Sequence, residues 1–181
     1  MFAVLGVVVD ALDRAGIAHM VSGSVASARH GEARATQDID IVIDPTSGQM
    51  MTFLSLLGST DLYVGDGVAA LANRSEFNII DSTTGWKVDL MIRKDRPFSR
   101  VEFDRRLPAT VGGVAVCIVT PEDSILSKLE WGGPSGSERQ MRDVRSLLTV
   151  QGDALDRQYL YHWARELGVD ELLAAAEIEL R

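Results

Sequence analysis

The sequence predicts a mixed α/β fold that ends in a helical tail. Three observations carry that expectation. An amphipathic helical run opens the chain, short alternating runs fill its middle, and from about residue 121 apolar residues recur at helical spacing. Two of the alternating stretches read as hairpins that follow a helix–strand–helix–strand start, which predicts a mixed sheet flanked by helices. The expected division is an α/β core over 1–119 and a C-terminal helical subdomain over 120–181.

Residues 3–15 place Val4, Leu5, Val8, Val9 and Leu12 three and four positions apart, and Gly16 closes the helix they form. "IAHMVS" is a short strand. The small residues Gly23, Ser24, Ala26, Ser27 and Ala28 read as a tight turn opening a short helix that stops near Gly31. "DIDIVID" is the next strand, ended by Pro45, and "SGQMMTFLSLLGS" is a helix with Ser47 as its expected cap. "SEFNIIDSTTGWKVDLMIR" forms a hairpin about Ser82–Gly85, and "PATVGGVAVCIVT" a strand pair about Gly112–Gly113. In "TPEDSILSKLEW", Thr120 caps a helix with Pro121 in its first turn. "GGPSGSE" is a loop, "RQMRDVRSLLTVQG" a helix, and Tyr159 to Arg181 supplies one or two more.

A length of 181 residues suits one domain or a core with a small appendage, and 46 % hydrophobic residues suffice for a core. Cys117, the lone cysteine, excludes a disulfide framework; in "VAVCIV" it reads as core packing, and a reducing, cytoplasmic setting is expected. No stretch is long enough for a membrane span, and Asp10 and Asp13 interrupt an apolar start that lacks a basic leader, so no signal peptide is expected. A net charge of −8 argues against binding long DNA. The basic stretch "IRKDRPFSRVEFDRR" reads first as a solvated loop and second as a contact for an anionic acceptor.

The strand "DIDIVID" poses the chemical question. Side chains alternate, so Asp38 and Asp40 share one face while Ile39 and Ile41 share the other. Two carboxylates about 5–6 Å apart repel by about 3 kcal/mol at an effective dielectric near 20. Water, a retained proton or a bridging cation relieves that, and magnesium is the hard, oxygen-seeking candidate. Asp89 in "WKVDLMI" supplies a third acid, provided the two strands are neighbours. The plainer reading is an edge strand with a polar outer face. Gly23 and Ser24 weigh against it: they end a strand and open a helix, where free N–H groups and the helix dipole receive phosphate. Histidines are too scattered for a serine triad, and no Cys/His cluster suggests zinc.

Gly23-Ser24, thirteen residues, then Asp38-Ile39-Asp40-Ile41 resembles the signature of the DNA polymerase beta-like nucleotidyltransferase superfamily. "HGEARATQDIDIVID" is similar to its small bacterial members, and Asp89 matches the third carboxylate of the pattern. The tail resembles AbiEii-like nucleotidyltransferases: Lys128, Arg139, Arg142 and Asp143 match in type and order, while Ser146 stands where the toxins of that group usually carry a second aspartate.

The resemblance implies a magnesium-dependent enzyme that moves a nucleotide monophosphate from a nucleoside triphosphate to an acceptor hydroxyl, releasing pyrophosphate. Asp38, Asp40 and Asp89 would hold Mg2+, two ions with the triphosphate bound, and Asp89 would serve as general base. Gly23 and Ser24 would cradle the β- and γ-phosphates. Arg34, Thr36, Lys128 and Arg139 join them as nucleotide-binding candidates; a loop arginine and a surface lysine are the structural alternatives, as is an Asp143–Arg139 pair at i, i+4. Trp86 and Trp131 are candidates for base stacking or for packing. The implied acceptor is a small molecule, a protein side chain or an RNA end, and the toxin relatives imply an antitoxin partner. Aminoglycoside- and lincosamide-type resistance enzymes share the pattern, so an antibiotic-modifying transferase and a non-catalytic nucleotide-binding protein stand as alternatives.

Overall fold

A computed structural model describes residues 1–32, 36, 38–132 and 137–179. Helix α1 (Phe2–Arg14) leads into β1 (His19–Ser22), α2 (Gly23–His30), β2 (Asp38–Ile43) and α3 (Ser47–Leu57). A short strand β3 (Leu62–Val64) and helix α4 (Gly67–Asn73) precede the hairpin β4 (Glu76–Asp81) and β5 (Lys87–Ile92). Helix α5 (Pro97–Asp104) and the pair β6 (Leu107–Val111) and β7 (Val114–Ile118) complete the first half. Helices α6 (Pro121–Gly132), α7 (Glu138–Gln151), α8 (Arg157–Glu166) and α9 (Asp170–Ile178) follow.

Among the described residues the strands make one seven-stranded sheet in the order β3-β4-β5-β2-β1-β7-β6. The β2–β5 and β1–β7 pairs are parallel and the others antiparallel, so the sheet is mixed. Its register follows from burial. Ile39, Ile41 and Ile43 are all fully buried, as are Val88 and Leu90 on β5. Each such side chain contributes about 1.5–3 kcal/mol. A slip of one residue would expose them and drive Asp38 and Asp40 into the core. Val4, Leu5, Val8 and Leu12 of α1, with Met50 and Phe53 of α3, belong to the same apolar cluster. A second cluster joins Ile125, Leu129, Val144, Leu147 and Leu160 of the tail, together with Phe98 from α5.

Three local expectations are corrected. Thr46, not Ser47, caps α3: its hydroxyl accepts the Gln49 N–H and Gln49 reaches back, a capping box. The segment over 92–106 is not a solvated loop throughout, because it contains α5, with Pro97 in the first turn and Phe98 and Phe103 buried. The short elements β3 and α4 lie beyond the expected set; three and seven residues long, they carry too little periodicity to register in the sequence.

Candidate active site

The three acids come from two neighbouring strands. Because β2 and β5 are parallel and in register, Asp40 lies opposite Asp89 and Asp38 opposite Lys87. Alternation places all four on one face, half-exposed, while the isoleucines face the core. Burial pushes the Asp40 carboxyl above the usual carboxylate range, and the negative charges of Asp38 and Asp89 push it further. The Ser24 backbone N–H, bonded to Asp40, and the nearby Lys128 charge oppose that shift.

The start of α2 lies against the same carboxylate. Gly23 has φ +60°, and a Cβ there would stand 1.8 Å from Asp40 Oδ2. Only glycine permits this approach of helix start to acid. Arg139 on α7 reaches the same spot, its Nη2 3.5 Å from Ser24 Oγ. Lys128 is buried on α6 and donates to Asp143 Oδ2 at 2.7 Å and to Gln140 Oε1 at 3.2 Å. Asp143 therefore pairs with Lys128 across two helices, replacing the expected pair with Arg139 one turn away. Thr36 holds an acid directly: its hydroxyl donates to Asp38 Oδ1 at 2.8 Å. Arg34 lies outside the described residues.

The acids have an internal counter-ion that sequence reasoning did not single out. Lys87 Nζ stands 2.6 Å from Asp89 Oδ2, with the lysine side chain 38 % and the aspartate 19 % exposed. That bond, followed by the charges of Asp38 and Asp40, raises the Lys87 pKa against the opposing cost of burial. With Asp38 bound by Thr36 and Asp89 by Lys87, no three potential ligands among the described residues stand close enough to enclose an ion. The donor chemistry nonetheless fits a hard divalent cation. Three carboxylates share one face, their mutual repulsion is visible at Asp40, and the part-exposed Lys87 ammonium pairs with Asp89 alone.

Asp40, Gly23 and Ser24 line one wall of a cleft of about 600 Å3, and Lys128, Glu102 and Trp131 line another. Trp131 is 60 % exposed with the Lys94 ammonium 5.3 Å from its ring centroid, whereas Trp86 packs at the edge of the main core. The basic stretch is largely consumed by the protein itself. Arg93 pairs with Asp44, Arg96 with Glu130, Arg100 with Asp95, and Arg105 with Glu122 and Asp123. Its expected use against an anionic acceptor thus meets guanidinium groups already committed to carboxylates. Ser146 also has a structural use: its hydroxyl accepts the Glu32 N–H at 2.8 Å and abuts Gly31, tying α7 to the end of α2. His30 closes that helix, with Nε2 2.8 Å from the Val119 carbonyl oxygen.

No protein-family model matches the chain, and no curated protein matches it in sequence. Solved structures do resemble it. The antibiotic-resistance factor ANT(2'')-Ia superposes with a TM-score of 0.59 at 13 % identity, covering 98 % of this chain and 93 % of that one. An antigenic nucleotidyltransferase-like protein from Paracoccidioides brasiliensis gives 0.55 at 19 % identity, covering 94 % and 89 %. The lincosamide antibiotic adenylyltransferase LnuA, with lincomycin bound, gives 0.54 at 13 % identity, covering 78 % and 92 %. At such identities the likeness establishes the fold: the chain has the nucleotidyltransferase fold. No helix among the described residues is long and apolar enough to cross a membrane.

Proposed function

We propose that the protein is a magnesium-dependent nucleotidyltransferase that moves a nucleotide monophosphate from a nucleoside triphosphate to an acceptor hydroxyl and releases pyrophosphate. The observation that carries the reading is the in-register pair Asp40–Asp89, with Asp38 on the same face and Gly23–Ser24 against Asp40. The fold shared with solved nucleotidyltransferases supports it.

Asp38, Asp40 and Asp89 would hold the magnesium, which supplies positive charge to the phosphates and to the oxygens that attack and leave. The chain's own groups do the rest. Gly23 lets the Asp40 carboxylate lie against the start of α2, and the rest of the first turn of α2 would offer N–H donors to a phosphate held beside that acid. Arg139 and Lys128 place two cations beside that turn, and they stabilise the negative charge that builds on the departing pyrophosphate. Thr36 orients Asp38. Lys87 must leave Asp89 for that carboxylate to accept a proton from the acceptor hydroxyl or to ligate.

The acceptor best supported is a small molecule, because the cleft is of small-molecule size and most arginines near it are already paired. The test is transfer of label from α-labelled ATP, CTP, GTP and UTP, with magnesium and cell extract, in wild type and in Asp40→Ala. Label should move to a small-molecule fraction and be lost in the variant. Transfer that survives the substitution would remove the proposed site. Label on RNA or protein would instead assign a toxin-like, AbiEii-type acceptor and direct the search to an antitoxin partner. Tight nucleotide binding without transfer would make this a binding protein.

A further inference from the structure

One buried acid in the cleft wall has no role in the transfer chemistry. Glu102, on α5, is 9 % exposed, and Ser127 Oγ donates to its Oε1 at 2.8 Å. Among the described residues, no hydrogen bond reaches Oε2 and no cation lies within ion-pair distance of the carboxylate. Every other buried acid among the described residues has a cation: Glu122 and Asp123 have Arg105, and Asp143 has Lys128. The nearest guanidinium, Arg96, is given bidentately to Glu130, with one bond of 2.6 Å, and its Nε goes to Ser99. A buried carboxylate with one neutral donor and no paired cation carries a desolvation cost that this single bond only partly offsets. Its place in the wall of a cleft that also holds Ser24 and Asp40 gives that cost a use.

We propose that Glu102 is the recognition group of an amine subsite, and that its open carboxylate oxygen pairs with a protonated amine of the acceptor. Naming that ligand the acceptor rests on the transferase reading; the subsite itself does not. Once the carboxyl is ionised, a cation compensates its charge and a neutral donor does not. Among the described residues lining the cleft, none of the cations pairs with it: Lys128 is held by Asp143, Arg93 by Asp44 and Arg96 by Glu130, Lys94 lies over Trp131, and Arg74 donates to the Arg93 carbonyl oxygen. The subsite is also distinct from the acids on the sheet. Asp40 feels Asp38, Asp89, Ser24 and Lys128, whereas Glu102 feels Ser127, Asp123, Arg96 and Glu130. The ligand therefore spans the cleft, with a hydroxyl at the sheet and an ammonium at α5.

The test is calorimetric binding to the full chain, without nucleotide or metal, of 1,4-diaminobutane and of the neutral 1,4-butanediol. The diamine should bind saturably and the diol should not. Glu102→Gln should weaken diamine binding by about tenfold or more, while Glu171→Gln, exposed and outside the cleft, should leave it unchanged. Thermal unfolding of Glu102→Gln should match or exceed wild type, where a purely structural role would lower it. A second measurement needs no variant. Burial holds the Glu102 carboxyl up at about 7 against Ser127 and Arg96, with Asp123, Glu130 and, from α8, Tyr159 also facing it. Diamine binding to wild type should therefore strengthen as pH rises through about 7. Equal binding of diol and diamine, absent or pH-independent diamine binding, or undiminished binding by Glu102→Gln would each overturn the proposal. Amine binding with no label transfer from any triphosphate would leave the subsite standing and remove the transferase reading. Label transfer to hydroxyl acceptors with no amine dependence would do the reverse.

Discussion

Two groups of clustered carboxylates in this protein have opposite fates. At the junction of α5, α6 and α8, Asp123 is fully buried and accepts from Tyr159 at 2.5 Å, Thr120 at 2.7 Å and Arg105 at 3.2 Å. Arg105 also stacks on Tyr159 at 3.7 Å and pairs with Glu122. On the sheet, Asp38, Asp40 and Asp89 share a face, where the half-exposed Lys87 pairs with Asp89 and the Lys128 charge acts on Asp40. The first group is saturated with internal donors; the second has fewer donors among the described residues, and its Asp40 lines a cleft. Saturation marks a charge that holds the fold, and unspent acceptors mark a charge kept for a ligand.

Substitution at each group breaks the comparison from a different side. Asp40→Ala should abolish label transfer by about a thousandfold, with thermal unfolding no lower than wild type. The sign follows from its raised pKa: the favourable protonated form is lost as pH rises through the folded-state value, so at neutral pH ionised Asp40 is a cost the variant lacks. Asp123→Ala should do the opposite, lowering stability by about 3 kcal/mol in urea unfolding because Arg105, Tyr159 and Thr120 lose their shared acceptor. If it changed transfer before stability, the division between the two groups would fail.

Glu102 lies between the two groups, buried like the first and unspent like the second. Its pKa is raised from 4.5 to about 7, so its contribution is fully present below about pH 4.5 and lost as pH rises through 7. Glu102→Gln should remove up to about 3 kcal/mol of that loss, read as a smaller fall in unfolding free energy between acid and mildly alkaline buffer. The smallest effect is expected at Lys87. A partly exposed pair is worth up to about 1 kcal/mol, so Lys87→Met should tighten manganese binding by a few-fold and enlarge the thermal shift on adding magnesium. Weaker metal binding in that variant would make Lys87 a supporting residue rather than a competitor.

The sheet face was largely legible in the sequence because a strand's period is local. "DIDIVI" and "KVDLMI" each fix which residues point together, whatever surrounds them. The helix α5 was not legible: with eight residues and two apolar anchors, its pattern is masked by the arginines around it, and Glu102 was hidden with it. The Phe98–Glu102 spacing of four was the signal available, since it places the acid on the same helical face as that buried aromatic.

The sequence by itself determined that Asp38 and Asp40 share a face, that Gly23 opens a helix beside a strand end, and that the tail is helical. All of these follow from side-chain direction and backbone freedom within a few residues. Tertiary structure alone decided that β5 lies beside β2 with Asp89 opposite Asp40, that Lys128 chooses Asp143, and that Glu102 is buried without a cation. Partners tens of residues apart are selected by which apolar faces bury together, and that competition is resolved only when the whole core forms.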